Sequence, residues 1–363
     1  MSRQPTRARV VGTGSYLPPH RMDNEALFAR DTIRENFDLG RARASLKHEA
    51  ADDLSPVEVF DRWARQVTGI RARRVVTEEN GLSTEDLCAE ASRRALEDAG
   101  LEPEALDFIV AASVTEKETV PNVACTVADA LGVPGVGGYT LNAACAGYVY
   151  AMAAGHGHVR AGMGEHVLVV SGDSLSHITD YTDPKTAVLF GDGAGAAVLA
   201  PAGEEEGGVL GVPYHEADYA PEHLYLRGQG WETEDEPDPK LHMGGGPKVL
   251  RQAILAMRRV ADRALETTGL GWEDVDYVVP HQANLRITQG LEKHLPLTGE
   301  GRVVHTIQDY GNMSASTVGV ALDEVLRGEH GPLPDPTRLV LTAVGGGYTS
   351  AGLVLEWRPG LQS

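Results

Sequence analysis

The sequence has few cysteines, few basic residues and no long apolar run, and each shortage argues against a class of protein. Cys88, Cys125 and Cys145 show no CxxC spacing, so we expect neither a disulfide framework nor a zinc site. Lys and Arg number 32 against 52 Asp and Glu, a formal net charge of -20, which disfavours nucleic acid as a partner because phosphate binding needs a basic surface. The longest nearly apolar stretch, 188–200, contains Asp192 and is too short to cross a bilayer. The N-terminus also lacks the apolar core of a signal peptide, and these features together predict a cytoplasmic protein.

Strand-like and helix-like runs alternate along the 363 residues, which indicates an α/β protein. The predicted strands are 9–12, 107–113, 166–171, 188–199, 276–280, 338–344 and 351–356. The predicted helices are 84–98, 148–159, 249–267 and 316–326.

An internal repeat at an offset of 169 residues indicates a duplicated domain. The run Ala-Leu-Glu-Asp-Ala-Gly-Leu at 95–101 returns as Ala-Leu-Glu-Thr-Thr-Gly-Leu at 264–270. The same offset carries Asp-Phe-Ile-Val at 107–110 onto Asp-Tyr-Val-Val at 276–279. Because a helix, its exit and the next strand keep one register, the match does not look like chance, and the period is too long for a solenoid.

The repeat predicts two halves. We expect an N-terminal half at 1–200, with an insertion near 31–66, and a C-terminal half at 248–363. Residues 201–247, rich in acid and proline towards their end, are expected to form a connecting surface segment.

A thiol stands where a helix is predicted to begin. The run Asn-Ala-Ala-Cys-Ala-Gly at 142–147 precedes a helical pattern. Unpaired N–H groups and the positive end of the helix dipole favour thiolate over thiol at such a position, so Cys145 is predicted to be a nucleophile. The alternative is a buried structural cysteine, which is the commoner role of a free cysteine. The offset of 169 places Cys145 opposite Ser314 in the other half.

Three candidate partners lie in the C-terminal half. His281 follows directly on a predicted strand, where α/β folds place ligands. Asn312 precedes a helix and taken alone is most simply its N-cap. The glycines at 345–347 follow another strand and could present an N–H to an oxyanion. Each of these residues could be purely structural, but together with Cys145 they supply a nucleophile and oxyanion donors, which suits thioester chemistry.

Several motifs, in order along nearly the whole chain, resemble β-ketoacyl-acyl carrier protein synthase III. They are Asn-Ala-Ala-Cys-Ala-Gly at 142–147, Phe-Gly-Asp-Gly-Ala-Gly at 190–195, His-Gln-Ala-Asn-Leu-Arg-Ile at 281–287, Gly-Asn-Met-Ser-Ala-Ser at 311–316 and Gly-Gly-Gly at 345–347. The resemblance implies a thiolase-like, five-layered αβαβα fold made of two duplicated halves, and normally a homodimer.

The resemblance also implies residue roles. Cys145 matches the nucleophile that accepts the primer acyl group, and the N–H groups of Cys145 and Gly346 match the oxyanion hole. His281 and Asn312 match the pair that binds the malonyl thioester and stabilises the enolate left when carbon dioxide departs. No metal or cofactor is implied, because the substrates are thioesters of coenzyme A or acyl carrier protein.

Positions around the substrate depart from the family pattern. Trp63 matches a tryptophan that stacks on the adenine of coenzyme A, but Val67 and Pro184 stand where arginines are usual, which predicts weak or altered coenzyme A binding. Asn284, within the His281 motif, is counted among the substrate-binding residues.

The primer pocket also departs from the pattern. Val120 and Val344 replace aromatic residues of some family members, which predicts a larger or branched primer. The insertion near 31–66 could reshape the channel or be inert.

Arg251, Arg286 and Lys293 match basic positions that dock acyl carrier protein. In a chain of net charge -20, a retained basic cluster is what an acidic carrier would require. The alternative is ordinary solvated charge.

Other functions remain open at this point. A head-to-head acyl condensation of the olefin-biosynthesis type needs a glutamate base, and Glu116 and Glu118 lie on the expected pocket loop, although neither aligns with that base. Acyl transfer to a hydroxyl or amine is a related option. A non-catalytic dimer partner is disfavoured because Cys145, His281 and Asn312 are all present.

Overall fold

The computed structural model describes residues 7–46, 51–228, 232–233, 240–244, 247–297 and 301–358. Its strands are β1 (Arg7–Tyr16), β2 (Arg21–Asp23), β3 (Ala72–Arg74), β4 (Phe108–Ala112), β5 (Gly137–Leu141), β6 (Val167–Ser174), β7 (Asp192–Ala202), β8 (Gly208–Ala217), β9 (Leu224–Tyr225), β10 (His242–Met243), β11 (Tyr277–Pro280), β12 (Thr337–Gly345) and β13 (Thr349–Trp357).

The α-helices are α1 (Asn24–Phe28), α2 (Asp31–Asn36), α3 (Leu39–Ser45), α4 (Pro56–Thr68), α5 (Thr84–Ala99), α6 (Val123–Ala130), α7 (Gly147–Arg160), α8 (Pro184–Ala187), α9 (Pro247–Glu266), α10 (Leu285–His294), α11 (Ile307–Tyr310) and α12 (Ser316–Leu326). Within the described ranges, none of these helices has the length and apolar content to span a membrane.

The two main sheets share one topology. The first has the strand order β1-β7-β6-β4-β5 and the second has the order β8-β13-β12-β11. In the first sheet, β5, β4 and β6 run parallel; in the second, β11 and β12 do. β11 begins 169 residues after β4, and α12 begins 169 residues after α7. The topology therefore agrees with the duplication predicted from the sequence.

The helices and sheets stack in five layers. α5 and α6 cover the outer face of the first sheet, and α9 and α10 cover the outer face of the second. α7 and α12 lie between the sheets, where Met152 and Leu322 share one core with Leu199 of the first sheet and Leu341 of the second. The predicted αβαβα layering is confirmed.

Two sequence-based boundaries need adjustment. The predicted connecting segment 201–247 contains β8, which pairs with β13 and belongs to the second sheet. The predicted strand 188–199 begins only at Asp192. Before that point, Leu189 and Gly191 exchange backbone hydrogen bonds with Asn312 at 2.8 and 3.0 Å, so this segment serves the junction between the halves instead of a strand.

The halves meet at a contact of backbone against backbone. A Cβ built on Gly195 of β7 would lie 2.6 Å from the carbonyl carbon of Gly319 in α12. Real Cβ atoms do not approach so closely, so glycine at 195 allows α12 to pack against the first sheet.

We expect Gly195→Ala to lower the free energy of unfolding by about 1–3 kcal/mol, because the added methyl must push α12 away from β7. The matched control is Gly157→Ala, on the exposed side of α7, where a Cβ meets nothing within 4 Å. There alanine should leave stability unchanged or raise it by up to about 1 kcal/mol. Urea denaturation of both variants measures the difference, and equal midpoints would contradict the importance of the contact.

Candidate active site

The nucleophile candidate stands at the edge where three parallel strands end. β5 ends at Leu141, and a 3₁₀ turn at Ala144–Ala146 then leads into α7. Among the described residues other than glycine, φ is positive only at Ala144 (46°) and Ser314 (51°). These two residues lie just before the starts of the two middle helices, one in each half. The pairing of Cys145 with Ser314 that the repeat predicts is thus visible in the backbone.

Ser314 is the point at which the candidate residues converge. Its N–H donates to Oδ1 of Asn312 at 2.9 Å, and its carbonyl accepts from the Thr317 hydroxyl at 3.0 Å. The Thr317 oxygen also lies 2.7 Å from Nδ1 of His281. The Ser314 hydroxyl in turn lowers the pKa of the Cys145 thiol. Cys145, His281 and Asn312, which are distant in the sequence, therefore surround one residue.

Asn312 does not cap a helix. The N-cap position of α12 is Ala315, and no side chain accepts a hydrogen bond there. The Asn312 oxygen instead closes the turn to Ser314. No described residue accepts a hydrogen bond from its Nδ2, which leaves this amide available to a substrate carbonyl.

His281 is buried and electrically neutral. Burial lowers its pKa to about 3, and the Ser314 backbone opposes this only in part. The Thr317 hydroxyl has a single proton, which can be donated either to Nδ1 of His281 or to the Ser314 carbonyl. When Nδ1 receives it, Nε2 carries the imidazole proton and becomes a hydrogen-bond donor.

The predicted thiolate at Cys145 is wrong for the resting protein. Burial raises the pKa of the thiol to about 12, although the nearby Ser314 hydroxyl opposes the rise. A helix dipole stabilises an anion by about 0.3–1 kcal/mol, whereas one pKa unit corresponds to about 1.4 kcal/mol. The dipole therefore cannot offset the desolvation of a buried sulfur, and the thiol remains protonated until it reacts.

The glycine run approaches the nucleophile through Gly345. A Cβ on Gly345 would lie 2.6 Å from the amide nitrogen of Cys145, so only glycine permits this end of β12 to reach the thiol loop. Thr349 reinforces the contact by donating to the Ala143 carbonyl at 2.6 Å. The N–H of the adjacent Gly346 as a partner of the Cys145 N–H in an oxyanion hole stays a prediction.

The predicted substrate-binding residues are spread more widely. The Trp63 ring is partly buried against Phe37 and Phe60, with ring centroids 5.1 and 5.8 Å apart. Asn284 is the N-cap of α10: its oxygen accepts from the Arg286 N–H, and its amide donates to the Val67 carbonyl at 3.0 Å. Adenine stacking by Trp63 and substrate contact by Asn284 stay predictions.

The two valines of the predicted primer pocket lie in contrasting environments. Val344 is buried at the end of β12. Val120 is 86% exposed on this chain, so its side chain faces outward instead of lining an enclosed pocket of the same subunit.

The three predicted docking cations share one surface. α9 and α10 pack together where Gly290 meets Ile254. Arg251 lies one turn from Ile254, while Arg286 and Lys293 lie one turn to either side of Gly290. All three side chains are exposed. No ion pair within the described residues neutralises them.

Two polar residues near the site were not predicted from the sequence. Thr317 orients His281, and Asp173 is a fully buried carboxyl at the end of β6. A signal existed for Asp173, since it follows a predicted strand as His281 does, but an acid within Ser-Gly-Asp-Ser is equally typical of a plain surface turn. The described part of the chain brings together no group of three His, Cys, Asp or Glu residues that could hold a metal ion.

Family models match both halves. Residues 139–217 match 3-oxoacyl-[acyl-carrier-protein (ACP)] synthase III, and residues 265–357 match the C-terminal region of the same family. The β-ketoacyl-[acyl-carrier-protein] synthase III of Desulfitobacterium hafniense is 36% identical over 353 residues, covering 96% of this chain and 97% of the relative. That of Chlorobium luteolum is 36% identical over 357 residues, covering 97% of this chain and 99% of the relative.

Solved structures agree. The priming β-ketosynthase of the R1128 polyketide pathway has a TM-score of 0.82 at 31% identity and covers 98% of each chain. The 3-oxoacyl-[acyl-carrier-protein] synthase III of Aquifex aeolicus has a TM-score of 0.80 at 30% identity and covers 96% of this chain and 100% of its own. An OleA variant of Xanthomonas campestris, 19% identical with a TM-score of 0.78, shares the fold alone. The chain therefore belongs to the β-ketoacyl-acyl carrier protein synthase III family and has its thiolase-like fold.

Proposed function

We propose that the protein is an acyltransferase that condenses an acyl primer, carried on Cys145, with malonyl-acyl carrier protein. The observation that carries the proposal is the convergence of a buried thiol, a neutral imidazole and a free amide donor on Ser314. The similarity to enzymes named for this chemistry supports it.

The first stage is transfer of the primer. Sγ of Cys145 attacks the thioester carbonyl, the bond from carbonyl carbon to donor sulfur breaks, and the donor thiol leaves. The developing oxyanion needs donors fixed in advance, and we assign this role to the N–H groups of Cys145 and Gly346. An acyl-cysteine intermediate and ping-pong kinetics follow.

The second stage uses the other pair. The bond between the malonyl α-carbon and its carboxylate breaks, carbon dioxide leaves, and the electron pair forms an enolate. Nε2–H of His281 and Nδ2 of Asn312 would donate to the enolate oxygen. A neutral imidazole suits this task, because its proton stabilises the developing charge without being lost. The α-carbon then attacks the acyl-cysteine carbonyl and releases the β-ketoacyl product.

We assign the carrier protein to the surface formed by Arg251, Arg286 and Lys293. These exposed cations stand on a chain whose net charge is -20, so they form a local site for an acidic partner. The contacts of Phe37 and Phe60 with Trp63 reduce the ring surface left for adenine, which favours carrier-bound over coenzyme A-bound primers. Fatty-acid initiation and the priming of a secondary pathway both fit this donor.

We also propose a homodimer that completes the primer pocket. β5 is an edge strand whose residues are only partly buried, and an open edge can pair with a second copy. Val120, 86% exposed here, would then reach the partner's pocket, where valine leaves more room than an aromatic ring. Size-exclusion chromatography distinguishes this dimer from a monomer.

Intact mass measurement after incubation with a panel of acyl thioesters should show one acyl adduct, which Cys145→Ala abolishes. The matched control is Cys125→Ala, because Cys125 is an exposed thiol on α6, and this variant should retain the adduct. The panel should include straight and branched primers on coenzyme A and on carrier protein. Wild-type protein that stays unmodified by every donor would rule out the covalent mechanism.

We expect His281→Ala to keep acylation within about threefold while malonyl decarboxylation falls by about 10²–10³, the usual effect of removing one oxyanion donor. Because the pKa of His281 is about 3, the imidazole stays neutral above about pH 5, so His281 should impose no titration on decarboxylation between about pH 5.5 and 8. Carbon dioxide release from malonyl-carrier protein measures both effects. The exposed His20→Ala provides the control, and a parallel loss of acylation and decarboxylation in His281→Ala would contradict the division of roles.

Arg251→Glu should raise the KM for malonyl-carrier protein about tenfold with little change in kcat, because it reverses a docking charge. Malonyl-pantetheine, which lacks the carrier, should react as with wild type. Arg263→Glu makes the same change about three turns along α9, at an exposed residue paired with surface Glu266, and should have little effect. Identical KM changes in the two variants would refute the assigned docking surface.

A further inference from the structure

Three parallel strands bring a second polar group to the thiol. In the shared register, Ala112 of β4 lies beside Leu141 of β5 and Ser171 of β6. Cys145 follows shortly after the first of these partners, and Asp173 follows shortly after the second. Both therefore stand at the carboxyl edge of one sheet.

One oxygen of Asp173 is fully engaged and the other is free. Oδ1 accepts from the Val114 N–H at 2.8 Å, the Thr115 hydroxyl at 3.1 Å and the Ser113 hydroxyl at 3.2 Å. Oδ2 is buried and has no hydrogen-bond partner among the described residues. A carboxylate held on one side and unsatisfied on the other is costly to bury without a further role.

Ser314 stands between this carboxyl and the thiol. Gly147 of the thiol loop packs between Ala112, next to the Asp173 partners, and Ala315, next to Ser314. The Ser314 oxygen is buried and makes no hydrogen bond of regular geometry to a described residue. Even so, its hydroxyl is close enough to lower the pKa of both Cys145 and Asp173.

We propose that the Asp173 carboxylate, acting through the Ser314 hydroxyl, removes the proton of the Cys145 thiol during acyl transfer. As the sulfur attacks, the S–H bond breaks and its proton passes to Oγ of Ser314, while the original hydroxyl proton moves to Oδ2 of Asp173. The proton returns by the same route to the departing donor thiolate. The serine ends unchanged, and charge and atoms balance. The inference rests on the acyl transfer proposed above.

The other groups near the thiol do not meet this need. His281 is too weak a base, since burial holds its pKa near 3. Burial raises the pKa of Asp173 to about 7, so it is ionised above neutral pH and can accept a proton there.

The titratable groups around Asp173 also bear on its protonation. They are Cys145 and His281 at the site, Cys88 and Glu85 on α5, Glu116 on the loop after β4, and Asp192 on β7.

Alkylation of Cys145 by iodoacetamide tests the relay without any acyl substrate, with peptide mass mapping to separate Cys145 from Cys125. In wild type the rate should rise as the carboxyl ionises and level off above about pH 8. Asp173→Asn keeps the shape but not the base, so its rate should be about 10²-fold lower at about pH 7. It should then rise tenfold per pH unit without a plateau, as direct ionisation of the thiol requires. Ser314→Ala should behave in the same way.

Two controls separate the relay from a structural role. Ser316→Ala removes another buried hydroxyl without a hydrogen-bond partner in the described chain, two residues away, and should match wild type. Malonyl decarboxylation, which needs no thiol proton transfer, should stay within about threefold in Asp173→Asn. A wild-type pH profile in Asp173→Asn, or equal losses of alkylation and decarboxylation, would overturn the relay. Failure of the proposed function would appear instead as an absence of acyl adduct and of carbon dioxide release in wild type.

Discussion

The structure depends on the packing of two helices, α7 and α12, between two sheets. Each helix must begin at the same depth as the strand ends around it, because the core formed by Met152, Leu322 and their neighbours fills the space behind. The close contact of Gly195 with Gly319 fixes this depth. As a result, the thiol loop before α7 and the Asn312–Ser314 turn before α12 face each other across the junction of the halves.

The same packing sets the chemistry. Burial removes water from Cys145, His281 and Asp173, and in each case the neutral form gains. A protonated thiol, an imidazole without charge and a carboxyl poised near neutrality are consequences of one environment. A nucleophile that rests as a thiol is shielded from oxidation and needs its proton removed only when a thioester is present.

The sequence predicted the fold well because its signals were local and repeated. The run at 95–101 and its copy at 264–270 do end equivalent helices, and the strands that follow them, β4 and β11, occupy equivalent places in two sheets of one topology. The prediction failed where local pattern and tertiary contact disagree. Residues 188–191 are as apolar as a strand, yet they bond to Asn312, and β8 lies in a stretch whose pattern suggested only a connection.

Residue identities and their order along the chain determined the family, the two halves and the choice of Cys145, His281 and Asn312. The sequence could not determine the state of those residues. It suggested a thiolate from the helix start, but the desolvation of a buried sulfur exceeds the small stabilisation by a helix dipole. It also gave no reason to join Ser314 with Asp173 and Thr317, because their proximity arises only when strand ends from both halves meet. Protonation and proximity depend on burial and distance in three dimensions, and only the tertiary structure decided them.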